Sequence, residues 1–160
     1  DFGVKDKAEN VMIVDLMRND LGRICKSGTV EVPRLLSSEE HPGLQHLVSD
    51  VQGELLKDIS WSEILTALSP PGSVSGAPKS SATQVIGANE IARGPYCGAL
   101  GWIQGDQAVL SVAIRTFWKD TSINFGTGAG ITWGSDARAE WEETQLKAKR
   151  LIAIAGGELV

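Results

Sequence analysis

Gly126, Gly128 and Gly130 recur at every second position just before a long helix-forming segment, and this arrangement constrains the chain more than any other. In a strand, side chains alternate between faces, so these three positions predict one bare face. A face without side chains packs poorly and marks either a bulge or a close approach by a backbone or ligand. Ser135 or Asp136 is placed to cap the following helix, which runs to about Ala155 before Gly156 and Gly157 end it. On that helix Glu140, Glu143 and Lys147 share a face. Trp141, Thr144, Ala148 and Leu151 form a neighbouring, more apolar stripe facing the core. Two readings stay open: a glycine bulge beside a solvated helix with a Glu143–Lys147 pair, or a bare backbone surface beside a charged stripe that holds a small anion through a metal.

The length of 160 residues makes one domain the default. An apolar fraction of 42% with 22% charged residues is ordinary for a globular protein. The net charge of −5 argues against a nucleic-acid binder, which carries a basic patch. No apolar run reaches membrane-spanning length, so no membrane partner is expected. Cys25 and Cys97 fit no metal spacing and are too few for a disulfide scaffold, so reduced thiols in a cytoplasmic protein are expected. The chain opens at Asp1 rather than a methionine, which predicts a piece of a longer protein.

Along the chain, Val11–Leu16 reads as a short buried strand. Thr29–Leu36 and Leu44–Leu55 are two further strand candidates. Ser60–Leu68 reads as a helix opened by a Ser60–Glu63 capping box. Ser69–Lys79 is a turn-rich loop, and Pro78 suits the start of a helix running to about Asn89. Tyr96–Gln104, Gln107–Trp118 and Ser122–Trp133 read as strands joined by Gly105-Asp106 and Lys119-Asp120 turns. The order predicts an α+β fold with mostly antiparallel pairing.

Two phosphate motifs fail on spacing. GTGAGITWG has its third glycine at the wrong position for G-x-G-x-x-G, and PGSVSGAPKS places Ala77-Pro78 before Lys79 where a P-loop needs an unbroken Gly-Lys. The segment Ser73–Ala77 still leads into a helix N-terminus, where an anion can bind, although a simple cap explains it equally. Asp6 with Glu9, and Glu140 with Glu143, are carboxylate pairs at helical spacing. Each suits a solvated face, and only their meeting in space would create the oxygen set that Mg²⁺ prefers. His46 lies in a strand candidate on the face of Val48, as a packed or a catalytic histidine. Arg115, in VAIRTF, reads as a strand arginine needing an anionic partner, which is either a carboxylate of the protein or one of a substrate.

Seven ordered segments together resemble the chorismate-binding enzymes. They are MIVDLMRNDLGR (Met12–Arg23), HLVSDVQGEL (His46–Leu55), PGSVSGAPK (Pro71–Lys79), YCGALGW (Tyr96–Trp102), IRT (Ile114–Thr116), GAGI (Gly128–Ile131) and AEWEETQLKAK (Ala139–Lys149). The resemblance covers nearly the whole chain. It implies a share of a two-sheet α/β/β/α sandwich, with residues 1–160 as the C-terminal part of a catalytic domain. The N-terminal part, with its regulatory pocket and an upstream lysine nucleophile, is not matched by any segment here.

The resemblance also implies roles. Glu9 and Glu143 would bind Mg²⁺, supported by Asp6 and Glu140, and the metal would hold the ring carboxylate of chorismate. Arg115 would grip the enolpyruvyl carboxylate, and Gly128, Ala129 and Gly130 would close on the substrate. Lys147 would lie near the ring carboxylate and His46 near the C4 hydroxyl that leaves. Ser75 and Gly76 would line the site, as would Trp102, which stands where many relatives have tyrosine. A glutamine amidotransferase subunit or domain would supply ammonia. Within the family, ENVM (Glu9–Met12), PGSVSGAPK and RGPYCGALGW look most like aminodeoxychorismate synthase component I, which serves para-aminobenzoate and folate synthesis. Anthranilate synthase component I is the alternative, and a catalytically silent partner-binding fragment is the alternative from another class.

Overall fold

The computed structural model describes residues 2–41 and 44–157. It is a mixed helix-and-strand protein, and among the described residues its strand pairings are antiparallel, in keeping with the mostly antiparallel pairing expected from the sequence. Its chain divides into two units, Asp1–Ser73 with Ala77–Lys79, and Val74–Gly76 with Ser80–Val160.

The first unit opens on a helix, α1 (Val4–Gly22), and here the structure corrects the strand expected at Val11–Leu16. Within that helix Asn10, Ile13, Val14, Met17, Asp20 and Leu21 are all shielded, a spacing that keeps to one helical face. Two members of the stripe are polar, so the apolar run alone concealed its period. Gly3 N–H donates to Asp6 Oδ2 at 2.9 Å, satisfying one of the free donors at the helix start.

Strands β1 (Glu31–His41) and β2 (Leu44–Gln52) form an antiparallel ladder with register shifts on either side of Arg34. Leu36, at φ 53°, marks the irregularity. The Arg34 guanidinium bridges Glu39 at 2.5 Å and Asp50 at 2.7 Å. Its hydrogen bonds hold the Asp50 carboxyl below the usual carboxylate range. Asn10 joins α1 to this ladder, donating to Leu47 O at 3.1 Å and accepting from Ser49 Oγ at 2.6 Å.

Helix α2 (Trp61–Leu68) begins with the expected capping box. Glu63 N–H donates to Ser60 Oγ at 3.2 Å, and Ser60 N–H donates to Glu63 Oε2 at 2.9 Å. Such a box contributes about 1 kcal/mol. Its hydrogen bonds hold the Glu63 carboxyl below its ordinary value. Ile64 and Ala67 bury against Ile24 and Cys25, with Leu21, Val30, Ile59, Trp61 and Leu68 around them. The expected loop from Ser69 contains a one-turn helix, α3 (Gly72–Ser75), before α4 (Lys79–Asn89).

In the second unit, β3 (Ala99–Gln104) pairs with β4 (Gln107–Val112) around the expected Gly105-Asp106 turn. The pairing continues one step further through Cys97 N–H to Ala113 O and Ala113 N–H to Gly98 O. The strand expected over Gln107–Trp118 is broken after Val112, and β5 (Phe117–Lys119) then pairs with β6 (Ile123–Phe125). The Phe117 and Phe125 rings pack with their centroids 4.8 Å apart, tilted by 34°.

The strand expected over Ser122–Trp133 ends at Phe125, so the glycine segment is irregular backbone rather than a ladder. Helix α5 (Ala137–Ile154) follows, with Asp136 Oδ1 accepting from Ala139 N–H at 2.9 Å as the cap. Gly156, at φ 77°, ends it. Ala148 is buried as expected, but Trp141 is 63% exposed, so the apolar stripe is narrower than its sequence pattern. Both cysteines are buried free thiols. No helix among the described residues is long and apolar enough to cross a membrane.

Candidate functional site

The predicted site residues fall in both units. In the first, Asp6 and Glu9 sit in the opening turns of α1 with Glu9 exposed. His46 lies on β2 opposite Glu39 and is also exposed rather than packed. The Asn10 bonds to Leu47 and Ser49 fix the backbone next to Glu9 against the backbone next to His46.

This unit also holds a pair to which the sequence assigned no role. Asp20, only 4% exposed, meets Lys79 Nζ at 2.6 Å. The same ammonium donates to Ala67 O at 2.8 Å. Asp20 belongs to the RND segment and Lys79 to the SGAPK segment. Thus two of the seven segments are joined by a shielded ion pair.

In the second unit, Glu140 and Glu143 lie on α5, and Lys147 contacts Glu143 at 2.6 Å. Both partners are half-exposed, so the pair stabilises the helix by only about 0.3–0.5 kcal/mol. That contact is what the simpler reading of the stripe predicts. It leaves Glu143 within reach of solvent and of a ligand.

Arg115 differs from its expected setting. It is exposed, stands at φ 52° in the break between β4 and β5, and makes no ion pair among the described residues. A buried strand arginine would need an internal partner, whereas this one is presented outward from a turn. Trp102, opposite Val109 in the β3–β4 ladder, is half-exposed.

The glycine segment is not a strand with one bare face; beside Gly126 and Gly128 a side chain fills the space that a Cβ would take. A Cβ on Gly126 would lie 2.3 Å from Cγ of Tyr96, and one on Gly128 would lie 3.1 Å from the Tyr96 hydroxyl oxygen. The ring thus lies along both glycines. A Cβ on Gly130 would meet nothing within 4 Å, and Gly130 and Ala129 follow the covered stretch. Burial pushes the Tyr96 phenol up to about 12, helped by its neighbour Cys97.

Above the ring, Arg93 places its guanidinium carbon 5.8 Å from the centroid. Arg93 also holds Glu90 in a two-pronged contact at 2.7 and 2.8 Å and donates to Val74 O at 3.3 Å. Val74 precedes Ser75 and Gly76, and Gly76 has φ 104°, a conformation suited to glycine. Neither Arg93 nor Tyr96 was a sequence candidate. The available hint was a tyrosine, the chain's sole one, three residues after an arginine and ahead of a glycine run.

The chemistry of the donors suits a hard cation. Asp6, Glu9, Glu140 and Glu143 offer only carboxylate oxygens, and Mg²⁺ takes one or two of these with waters. The two pairs belong to different units, and no group of three metal-ligating side chains gathers among the described residues.

A family model described as chorismate binding enzyme matches residues 3–153. Anthranilate synthase component 1 of Saccharolobus solfataricus is 45% identical over 155 residues, 95% of this chain and 37% of that protein. The protein of the same name from Aquifex aeolicus is 44% identical over 152 residues, 92% of this chain and 31% of that protein. The chain therefore spans about a third of the length of these relatives. The crystal structure of anthranilate synthase component I from Streptococcus pneumoniae matches with a TM-score of 0.81 at 38% identity, over 94% of this chain and 35% of that one. A structure described as a 2,3-dihydroxybenzoate-specific isochorismate synthase from Bacillus anthracis matches with a TM-score of 0.76 at 27% identity, over 96% of this chain and 42% of that one.

Proposed function

This chain belongs to the chorismate-binding enzymes, and from that premise we propose that it forms the C-terminal part of a synthase that aminates chorismate, of the anthranilate synthase component I kind. The observation that carries the reading is 45% identity, over 95% of the chain, to a relative of that name. The motif wording that favoured aminodeoxychorismate synthase component I finds less support, since the relatives above carry the anthranilate name.

Anthranilate bears its amine next to the ring carboxylate. Chorismate must therefore bond ammonia at C2, lose its C4 hydroxyl, and then lose the enolpyruvyl group as pyruvate when the ring aromatises. His46, exposed on β2, is the residue we assign to protonating the departing hydroxyl. Arg115, offered from its turn, grips the enolpyruvyl carboxylate. Ser75, Gly76, Trp102, Gly128, Ala129 and Gly130 line the ring. Glu9 and Glu143, backed by Asp6 and Glu140, would hold Mg²⁺. When bound, the ion neutralises and orients the ring carboxylate. Lys147 lies beside that carboxylate after parting from Glu143. Anchoring both carboxylates fixes the reacting carbon, and such positioning lowers barriers by several kcal/mol. Ammonia comes from a glutamine amidotransferase partner.

The test is a Mg²⁺ titration of the full-length enzyme with chorismate and ammonium. Glu9→Ala and Glu143→Ala are each expected to weaken the metal dependence and reduce turnover about a hundredfold. Normal Mg²⁺-dependent turnover in either variant would refute the ligand assignment.

A further inference from the structure

We propose that Arg93 is a positioning residue that sets two walls of the substrate site at once, the Ser75–Gly76 loop and the Gly128–Gly130 segment. The assignment of those walls rests on the function proposed above. The geometry of Arg93 does not.

Arg93 spends its donors in two directions. Nε and Nη2 engage the two oxygens of Glu90, which fixes the plane of the guanidinium. Nη1 is then aimed at Val74 O, the carbonyl directly before Ser75. The carbon of the same group stands 5.8 Å from the centroid of the Tyr96 ring, within cation–π range. That ring in turn lies on Gly126 and Gly128, where the missing side chains leave it room. A displacement of the guanidinium therefore releases Val74 on one side and frees the Tyr96 ring on the other. Lysine cannot replace it, because a point charge lacks the planar fork that holds both oxygens of Glu90 and Val74 O at once. Arg93 is shielded enough for this arrangement to be kept, its side chain being 24% exposed.

Two measurements test this, using Arg93→Ala and Arg93→Lys. The first is amide hydrogen exchange, which needs no substrate. Exchange at 74–77 and at 126–130 is expected to quicken together in Arg93→Ala, while β1 and β2 keep their wild-type protection. The second is kinetics in the full-length enzyme. KM for chorismate is expected to rise about tenfold with kcat within about threefold, and Arg93→Lys should recover only part of the loss. A general loss of folding would instead quicken exchange everywhere and reduce kcat with the active fraction. Folded variants with wild-type exchange in either segment, or with an unchanged KM, would overturn the proposal. If Arg93→Ala does not fold, Arg93→Lys carries both measurements with the same criteria. A wild-type enzyme that ignored chorismate would remove the functional reading, and the exchange result would still decide whether Arg93 holds both segments.

Discussion

Lys79 Nζ lies 2.6 Å from Oδ2 of Asp20, a carboxylate almost wholly removed from solvent. The approach is an ionic contact off the axis of a hydrogen bond, and the ammonium spends a better-directed donor on Ala67 O. One residue thus ties the end of α1 to the end of α2 and to the start of α4. A paired buried charge is not by itself strongly stabilising, since desolvation offsets most of the attraction. Its removal is costly, because the partner is left charged and dry.

Lys79→Met is therefore expected to lower unfolding stability by about 3 kcal/mol. Adding Asp20→Leu should return at least half of that loss, because the orphaned carboxylate is gone. Urea denaturation of the two single variants and the double variant reads the effect. A Lys79→Met protein as stable as wild type would mean that the pair contributes nothing.

Tyr96 gives a pH prediction with a clean readout, since the chain has no other tyrosine. Burial favours the neutral phenol, so the folded state holds this proton more tightly than the unfolded chain. The contribution to stability is complete below the ordinary value of 10.0 and is lost as the pH climbs to about 12. Phenolate absorbance should show a midpoint near 12 in the folded chain and near 10.0 in denaturant. Coincident midpoints would place the ring in water.

The glycines separate packing from binding. Gly126→Ala forces a carbon into the Tyr96 ring and is expected to cost about 1–3 kcal/mol. Gly130→Ala meets open space, so stability should hold within about 0.5 kcal/mol while chorismate binding weakens. Thermal unfolding of both variants checks the first half, and KM of the full-length enzyme checks the second. Equal destabilisation by the two would contradict the different surroundings of the two glycines.

These residues also show what the sequence could reveal. The cap at Ser60, and one at Ser135 or Asp136 of which the structure uses Asp136, were legible because their bonds are local, three residues long, and made by side chains with few other uses. The helix over Val4–Gly22 was not, because Asn10 and Asp20 occupy its shielded face to meet Ser49 and Lys79, contacts remote in sequence. The glycine spacing left a bulge and a close approach by a backbone or ligand open, and what the structure places against Gly126 and Gly128 is a side chain. The spacing did not reveal that the approaching group is Tyr96, or that pairing stops at Phe125. Arg115 was misplaced because a run of strand-forming residues around it hides a left-handed turn. The proposed site residues come only from matches to family segments, since spacing puts Glu9 and Glu143 at helical positions but not at one ion.

The most direct measurement is the product of the full-length enzyme supplied with chorismate, ammonium and Mg²⁺. Anthranilate, seen by its fluorescence and matched by an equal yield of pyruvate, is the predicted result. Accumulation of 4-amino-4-deoxychorismate without pyruvate, or of isochorismate regardless of ammonium, would contradict it.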